Sequence, residues 1–97
     1  MAFLIKWTKQ ANKGLDTVVE YLEFAWTVKE ILNLEANIHQ VISQIKVYPE
    51  LFPKSDTNKN LHKALIDKNN YLIYRINYEN QTIEIINFRG TKQEPKY

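Results

Sequence analysis

The sequence of 97 residues contains no cysteine, only two glycines and three prolines, and no long apolar run. The lack of cysteine excludes a disulfide framework, a thiolate nucleophile and a cysteine-ligated zinc site. No apolar run approaches the roughly 18 residues that a membrane-spanning helix requires, and the apolar N-terminal stretch is too short for a secretory signal. We therefore expect a cytoplasmic chain that does not enter a membrane.

The usual catalytic patterns are also missing. The two histidines, His39 and His62, have no second ligand at metal-binding spacing, so a structural or exposed role is expected for each. With Gly14 and Gly90 as its glycines, the chain has no glycine-rich phosphate loop, and no serine stands in a nucleophile-elbow context. We expect neither a metal nor a cofactor, and kinase, metalloenzyme and serine hydrolase functions are disfavoured.

The composition indicates a single globular domain spanning residues 1–97, with 44% hydrophobic and 25% charged residues. The net charge of +2 is unevenly distributed. Residues 1–45 hold four lysines and five acidic residues, whereas residues 46–97 hold nine basic and six acidic residues. A basic second half favours an acidic or polyanionic partner, although an ordinary solvated surface explains it equally well.

The first half of the chain predicts a strand followed by two helices. Residues 2–7 are rich in strand-forming residues, and Thr8 is a candidate helix N-cap. A capping box at residues 27–30 starts a second helix, which Pro49 ends at Tyr48. Apolar residues recur at helical spacing in both segments, namely Ala11, Leu15, Val18, Leu22, Ala25, then Val28, Ile31, Leu34, Ile38, Val41, Ile42 and Ile45. The short connection predicts an antiparallel helical hairpin.

The second half predicts a loop and three strands. Residues 49–60 hold two prolines and a polar cluster, and residues 61–66, 71–78 and 82–89 carry strand signals. Residues 79–81 join the last two strands as a hairpin. The predicted fold is therefore α+β, in the order β-α-α-β-β-β, with an antiparallel sheet covered by the helices on one face.

Strand alternation assigns a candidate functional face. An unpaired arginine under a helix carries a large desolvation cost, so Arg75 and Arg89 are placed on the outer face of the sheet. Alternation from these two arginines predicts an outer face made of Tyr71, Arg75, Ile83, Ile85, Asn87 and Arg89, with Lys63 on the neighbouring strand and Lys92 just beyond. Such a surface suits an RNA or an acidic protein groove, and ordinary solvation is an equal alternative.

Several motifs resemble the RelE/ParE superfamily of toxins, and particularly its ParE-like branch. They lie in the same order over nearly the whole chain, at residues 48–53 (YPELFP), 61–65 (LHKAL), 71–76 (YLIYRI), 83–88 (IEIINF) and 91–96 (TKQEPK). The resemblance implies the toxin of a type II toxin–antitoxin (plasmid-stabilisation) module, bound by a cognate antitoxin. A homodimer or a hetero-oligomer with that antitoxin is possible within this resemblance.

The branch determines the implied target. RelE-type members cut mRNA on the ribosome without a metal, and the resemblance makes Lys63, Arg75, Arg89, Lys92 and Tyr97 the candidate catalytic residues of such an endoribonuclease. ParE-type members inhibit DNA gyrase. This chain has Tyr71 where the nucleases place an arginine. It also has Lys92 where an arginine is usual, and a lysine lacks the bidentate fork of an arginine. The resemblance therefore favours gyrase, with mRNA cleavage and a non-toxic binding protein as the alternatives.

Overall fold

The structure, a computed structural model, describes residues 2–25, 28–55, 58 and 60–90. Its element order confirms the prediction, and the class is α+β. The elements are β1 (Leu4–Trp7), α1 (Lys9–Ala25), α2 (Val28–Val47), β2 (His62–Asp67), β3 (Asn70–Asn77) and β4 (Thr82–Gly90).

The four strands form a single sheet in the order β1-β4-β3-β2. Strand β3 pairs antiparallel with both β2 and β4, as predicted. Strand β1 pairs parallel with β4, from Leu4 opposite Thr82 to Trp7 opposite Ile85, so the complete sheet is mixed. Strands β1 and β2 are therefore its two edges.

Thr8 connects the start of α1 to β4. Its Oγ1 accepts a hydrogen bond from the amide of Ala11 at 3.2 Å, which confirms the predicted N-cap. The same hydroxyl donates to the carbonyl oxygens of Ile85 at 2.8 Å and Ile86 at 3.2 Å. The amide of Thr8 also donates to Ile85 O, at 3.1 Å. One residue thus ends β1, caps α1 and fixes both to β4.

The core lies between the two helices and the inner face of the sheet. The predicted apolar faces of both helices are confirmed, although Val28 at the start of α2 is 71% exposed. The Ala25 side chain and Thr27 lie outside the described residues, and α2 begins at Val28, as its capping box predicts. The buried core side chains include Ala11, Val18, Leu34, Ile38, Val41, Ile45, Leu72, Tyr74, Ile83, Ile85 and Phe88.

Gly14 allows α1 to approach the backbone of β4 closely. A Cβ at this position would lie only 2.1 Å from the carbonyl oxygen of Phe88. The obstacle is a main-chain atom in the sheet, which cannot rotate away as a side chain can. A glycine that weakens an isolated helix by about 1 kcal/mol is therefore required here by packing.

Replacing Gly14 with alanine should destabilise the protein, although the same change in a free helix stabilises it. We expect Gly14→Ala to lower the free energy of unfolding by about 1–3 kcal/mol, because α1 must move away from β4. Asn12→Ala, at an exposed position of the same helix, is the control and should have little effect. Urea denaturation followed by circular dichroism measures both, and a stabilised Gly14→Ala variant would contradict the close approach.

The prediction that Ile83 and Ile85 lie on the outer face is wrong. Both side chains are 0% exposed and pack in the core with Phe88. The hairpin connection is four residues long, from Tyr78 to Gln81, rather than the three that were predicted. Gln81 adopts a left-handed conformation with φ of 53°. The longer connection places Ile83 opposite Ile76 and so turns the first half of β4 inward.

A β-bulge at Ile86 restores the predicted alternation in the second half of β4. Ile73 pairs with Asn87 and Tyr74 with Ile85, which leaves Ile86 as the extra residue. Beyond it, Phe88 faces the core, whereas Asn87 and Arg89 keep the outer positions that were predicted. Ile83, Ile85 and Phe88 consequently share one face, although strict alternation separates them.

Truncation of Ile85 should therefore be costly. We expect Ile85→Ala to reduce the free energy of unfolding by about 2–5 kcal/mol, because the truncation would leave a cavity in the centre of the core. Leu65→Ala is the matched control, since Leu65 is an apolar strand residue that is 55% exposed, and it should cost less than about 1 kcal/mol. Equal denaturation midpoints for the two variants would mean that the bulge is misplaced.

Candidate functional site

The outer face of the sheet, which points away from the helices, carries most of the predicted site residues. Strand pairing aligns its side chains in three cross-strand rows, which are Leu65–Tyr71–Arg89, Lys63–Ile73–Asn87 and Arg75–Glu84–Lys6. Five of the predicted residues are thus brought together on this face: Lys63, Tyr71, Arg75, Asn87 and Arg89. Ile83 and Ile85 are not part of it, and Lys92 and Tyr97 lie outside the described residues.

Arg75 is held by an acidic neighbour that the sequence analysis missed. Its Nη2 lies 2.6 Å from Glu84 Oε1, and its Nε donates to the same oxygen at 2.8 Å. The two side chains are 53% and 19% exposed, so the pair contributes little to stability. Its importance is electrostatic, because Glu84 neutralises the arginine that was expected to meet a phosphate or an acidic partner. The four-residue turn places Glu84 beside Arg75. The three-residue turn expected from the sequence gives a different register and so does not predict this pair.

Tyr71 lies on the predicted face but is largely covered. The ammonium group of Lys63 lies 4.3 Å from the centroid of the Tyr71 ring, a cation–π contact. Only 8% of Tyr71 is exposed. A nucleic-acid base could stack on this ring only after it displaced the Lys63 side chain from the ring face. The pair therefore acts as a packed surface element rather than as an open stacking platform.

Arg89 and Asn87 complete the outer face. Arg89 is exposed, and no ion pair to it is found among the described residues. Asn87 accepts a hydrogen bond from the amide of Phe88 through Oδ1 at 3.0 Å. Its amide nitrogen can still donate to a partner. Arg89 is thus the predicted basic residue of this face whose charge is most available to a partner.

A second cluster fixes the loop that follows α2. The buried Tyr74 hydroxyl donates to the carbonyl of Pro49 at 2.6 Å. The His62 ring stacks on Tyr74 with centroids 5.1 Å apart, and its Nδ1 lies 2.8 Å from Phe52 O. Because a carbonyl can only accept, this nitrogen carries the proton. His62 therefore anchors the loop, which is the structural one of the two roles, structural or exposed, that were expected for it. The described residues contain no group of side chains that could hold a metal ion.

Burial alters the acidity of Tyr74. Removal from solvent raises the pKa of its hydroxyl from 10.0 to about 12, against a smaller opposing contribution from the Phe52 backbone. The hydroxyl of Tyr78 donates to Glu50 Oε2 at 2.6 Å. This hydrogen bond, above all, raises the pKa of Tyr78. Both hydroxyls are therefore protonated donors at neutral pH, and they hold the loop to β3 and to the first residue of the turn that follows it.

The raised pKa of Tyr74 predicts a loss of stability in alkaline solution. Below pH 10 the tyrosine is protonated in both states and stability does not depend on it. Above pH 10 the unfolded tyrosine ionises while the folded one, with its pKa of about 12, stays protonated, so stability falls by about 1.4 kcal/mol per pH unit. Urea denaturation from about pH 9 to about pH 11.5 measures this slope. In Tyr74→Phe we expect stability to fall less steeply with pH. At neutral pH we expect this variant to lose about 1–3 kcal/mol of stability, because the Pro49 carbonyl loses its hydrogen-bond donor. Identical slopes would contradict the assignment.

Comparison with known proteins assigns the chain to a family. The family model of the ParE toxin of type II toxin–antitoxin systems (parDE) matches residues 5–95. The chain belongs to this family. Among curated proteins, none matches this ParE-family chain. The motifs that resemble the superfamily fall within the matched residues, apart from the last residue of the tail motif.

Solved structures share the fold of this ParE-family chain at low sequence identity. A chain of the toxin–antitoxin complex RelBE2 from Mycobacterium tuberculosis superposes with a TM-score of 0.66 at 17% identity, covering 93% of this chain and 99% of that one. The archaeal RelE–RelB complex from Pyrococcus horikoshii gives 0.63 at 17% identity, with 97% and 100% covered. An arginine-to-alanine double mutant of E. coli RelE in the free state gives 0.57 at 19% identity, with 96% and 86% covered. The RelE/ParE-like fold is therefore confirmed over nearly the whole chain.

Neither described helix of this ParE-family chain combines the length and apolar character needed to cross a bilayer.

Proposed function

We propose that this chain is the toxin of a type II module, that a cognate antitoxin neutralises it, and that its target is DNA gyrase. Family membership supports the toxin role. Two of the solved structures with this fold are toxin–antitoxin complexes, which supports a cognate antitoxin as partner. The fold is common to both kinds of toxin, so the choice of target rests on the chemistry of the outer face.

The Arg75–Glu84 ion pair is the observation that favours gyrase over mRNA cleavage. Metal-free cleavage of a phosphodiester needs several fixed cations where negative charge develops, and the loss of one such donor costs about 10²–10³ in rate. Here Glu84 Oε1 occupies both Nε and Nη2 of Arg75. Lys63 is drawn over the Tyr71 ring, and a lysine offers no bidentate fork to a phosphate. Among the described candidates, Arg89 is left as the available arginine.

The same surface suits contact with a folded protein. It combines a covered aromatic ring, an ion pair, an exposed arginine and an asparagine amide, which supply directional polar contacts around apolar area. We propose that Tyr71, Arg75, Asn87 and Arg89 contact the target or the antitoxin, and that Lys92 of the tail takes part. We expect Arg89 to contribute most to this contact, because it is exposed, it has no ion-pair partner among the described residues, and arginines are enriched among the residues that dominate binding.

Two parallel assays with purified protein test the choice of target. We expect inhibition of supercoiling by gyrase and no cleavage of mRNA on programmed ribosomes. Arg89→Ala should weaken gyrase inhibition by about tenfold or more, and Lys29→Ala, on the exposed side of α2, should not change it. Ribosome-dependent cuts that disappear in Arg89→Ala or Tyr97→Phe would instead establish an endoribonuclease. If neither effect is seen, the non-toxic binding protein is the correct alternative.

Glu84→Gln tests whether the outer face is a nuclease site that the ion pair alone holds inactive. The change releases Arg75 and retains a side chain of similar shape. We expect gyrase inhibition to persist and mRNA cleavage to remain absent, because one released arginine does not assemble a full set of cations. Codon-dependent cleavage by Glu84→Gln would mean that this surface is a nuclease site held inactive by Glu84, and would overturn the gyrase proposal.

The antitoxin part of the proposal has a separate test. Induction of this chain alone in bacteria should arrest growth, and coexpression with the product of the adjacent small gene should relieve the arrest and give a complex that copurifies. An adjacent product that neither binds nor relieves the arrest would remove the support for a two-component module.

A further inference from the structure

The β2 edge of the sheet is only partly covered by the rest of the chain. Strand β2 is the last strand of the sheet. The loop after α2 runs antiparallel to its first half, where Ser55 N–H donates to Leu61 O at 2.7 Å and Lys63 N–H donates to Pro53 O at 3.0 Å. Lys54 forms an isolated bridge with His62 in the same segment. This coverage ends at Lys63.

Beyond Lys63 the edge has main-chain groups that find no backbone partner among the described residues. In an antiparallel strand, alternate residues direct their N–H and C=O groups to the same side. Because the Lys63 amide points toward the loop, the Leu65 amide and carbonyl point to the open side, away from β3. Among the described residues, no backbone partner of the Leu65 N–H is found on that side. An open edge of this kind is a template for pairing with another strand.

A cavity lies next to the open edge. Its volume is about 260 Å³, and it is lined by Phe52, Pro53, Lys54, Lys63 and Leu65. Three of these residues are apolar, and Leu65 is 55% exposed. The other two are lysines, and none of the described residues that line the cavity is acidic. The cavity can therefore accept one large apolar side chain while the lysines attract carboxylates beside it.

We propose that the β2 edge binds an extended segment of a protein partner. The segment pairs through its main chain with Leu65, inserts one large apolar side chain into the cavity, and places acidic residues beside Lys54 and Lys63. This mode of recognition takes affinity from main-chain hydrogen bonds and specificity from alternate side chains. It is independent of whether the chain acts on gyrase or on mRNA.

Two other occupants fit the edge less well. A second copy of this chain, paired edge to edge through β2, would bring the lysines of both copies together, and like charges on adjacent strands are destabilising. A nucleic acid could meet the lysines with phosphates, but it has no alternating amide and carbonyl groups to match those of Leu65, and no aliphatic side chain to fill the cavity. An acidic and apolar protein segment satisfies all three features.

Synthetic peptides test the proposal on the full chain. The probe is a short blocked peptide with a central leucine and a glutamate two residues away on each side, so that these three side chains share one face of the extended chain. It is labelled for fluorescence polarisation. Two further forms carry N-methyl groups on alternate amides, so that only one of them blocks the amides facing β2. We expect one methylated form to bind about tenfold or more weakly and the other to bind as the parent does. Equal affinities of the two methylated forms, or no binding of the parent at millimolar concentration, would overturn the proposal.

Variants of the protein locate the binding site. Leu65→Pro removes the edge N–H but no hydrogen bond of the sheet, and proline is tolerated at such edge positions. We expect it to weaken the parent peptide about tenfold, with an unchanged circular dichroism spectrum. Lys54→Glu and Lys63→Glu should also weaken binding, and Lys29→Glu on α2 is the matched control. If Leu65→Pro does not fold, the charge reversals and the methylated peptides still decide the matter.

Two results would show a different occupant or a different site. Unchanged affinity in both charge reversals would place the peptide elsewhere, and displacement of the peptide by a single-stranded oligonucleotide of lower apparent dissociation constant would assign the edge to nucleic acid. Neither assay uses toxicity, gyrase or an antitoxin. If the proposed toxin function is disproved, the peptide-binding results therefore still stand. If the peptide does not bind, the proposed toxin function is unaffected.

Discussion

The contact between Thr8 and the bulge at Ile86 is the constraint on which most of the structure depends. An extra residue in a strand leaves carbonyl groups without ladder partners, and these need hydrogen bonds elsewhere. The Thr8 hydroxyl donates to the carbonyls of Ile85 and Ile86, and Asn87 accepts from the amide of Phe88. The bulge is thereby satisfied within the protein. Since Thr8 also caps α1, the same contact orients the first helix along β4.

The position of the bulge determines which residues reach the core and which reach the outer face. Before it, Ile83 and Ile85 are buried, and after it Phe88 is buried while Asn87 and Arg89 point outward. The four-residue turn shifts the register of β4 against β3 by one residue from the predicted pairing, and the bulge shifts it back by one residue. The charge pattern of the outer face is a consequence, because only the shifted half of β4 places Glu84 opposite Arg75. A small change in turn length thus decides whether an arginine is neutralised.

The loop after α2 depends on a second set of contacts that also shapes a surface. Tyr74 and His62 bind the carbonyls of Pro49 and Phe52 from within the protein. With those two residues held, the chain from Pro53 to Ser55 pairs with the segment from Leu61 to Lys63 and covers only this part of the β2 edge. The exposed end of the β2 edge and its neighbouring cavity therefore exist because buried side chains of β2 and β3 determine the path of the loop. Core contacts and an exposed surface are linked through a few residues.

Local signals in the sequence determined the elements, the N-cap at Thr8, the apolar faces of the two helices and the general location of the basic face. Each of these depends on residues close together in the chain, such as the helical spacing of Leu34, Ile38, Val41 and Ile45. The parallel pairing of β1 with β4, the need for Gly14, the burial of Ile83 and Ile85 and the Arg75–Glu84 pair were decided only by the tertiary structure. These features depend on contacts such as Gly14 with Phe88 and Thr8 with Ile85, which join residues more than seventy positions apart. Alternation along a strand carries no information about a bulge, since the bulge is stabilised by a partner that the strand itself does not contain.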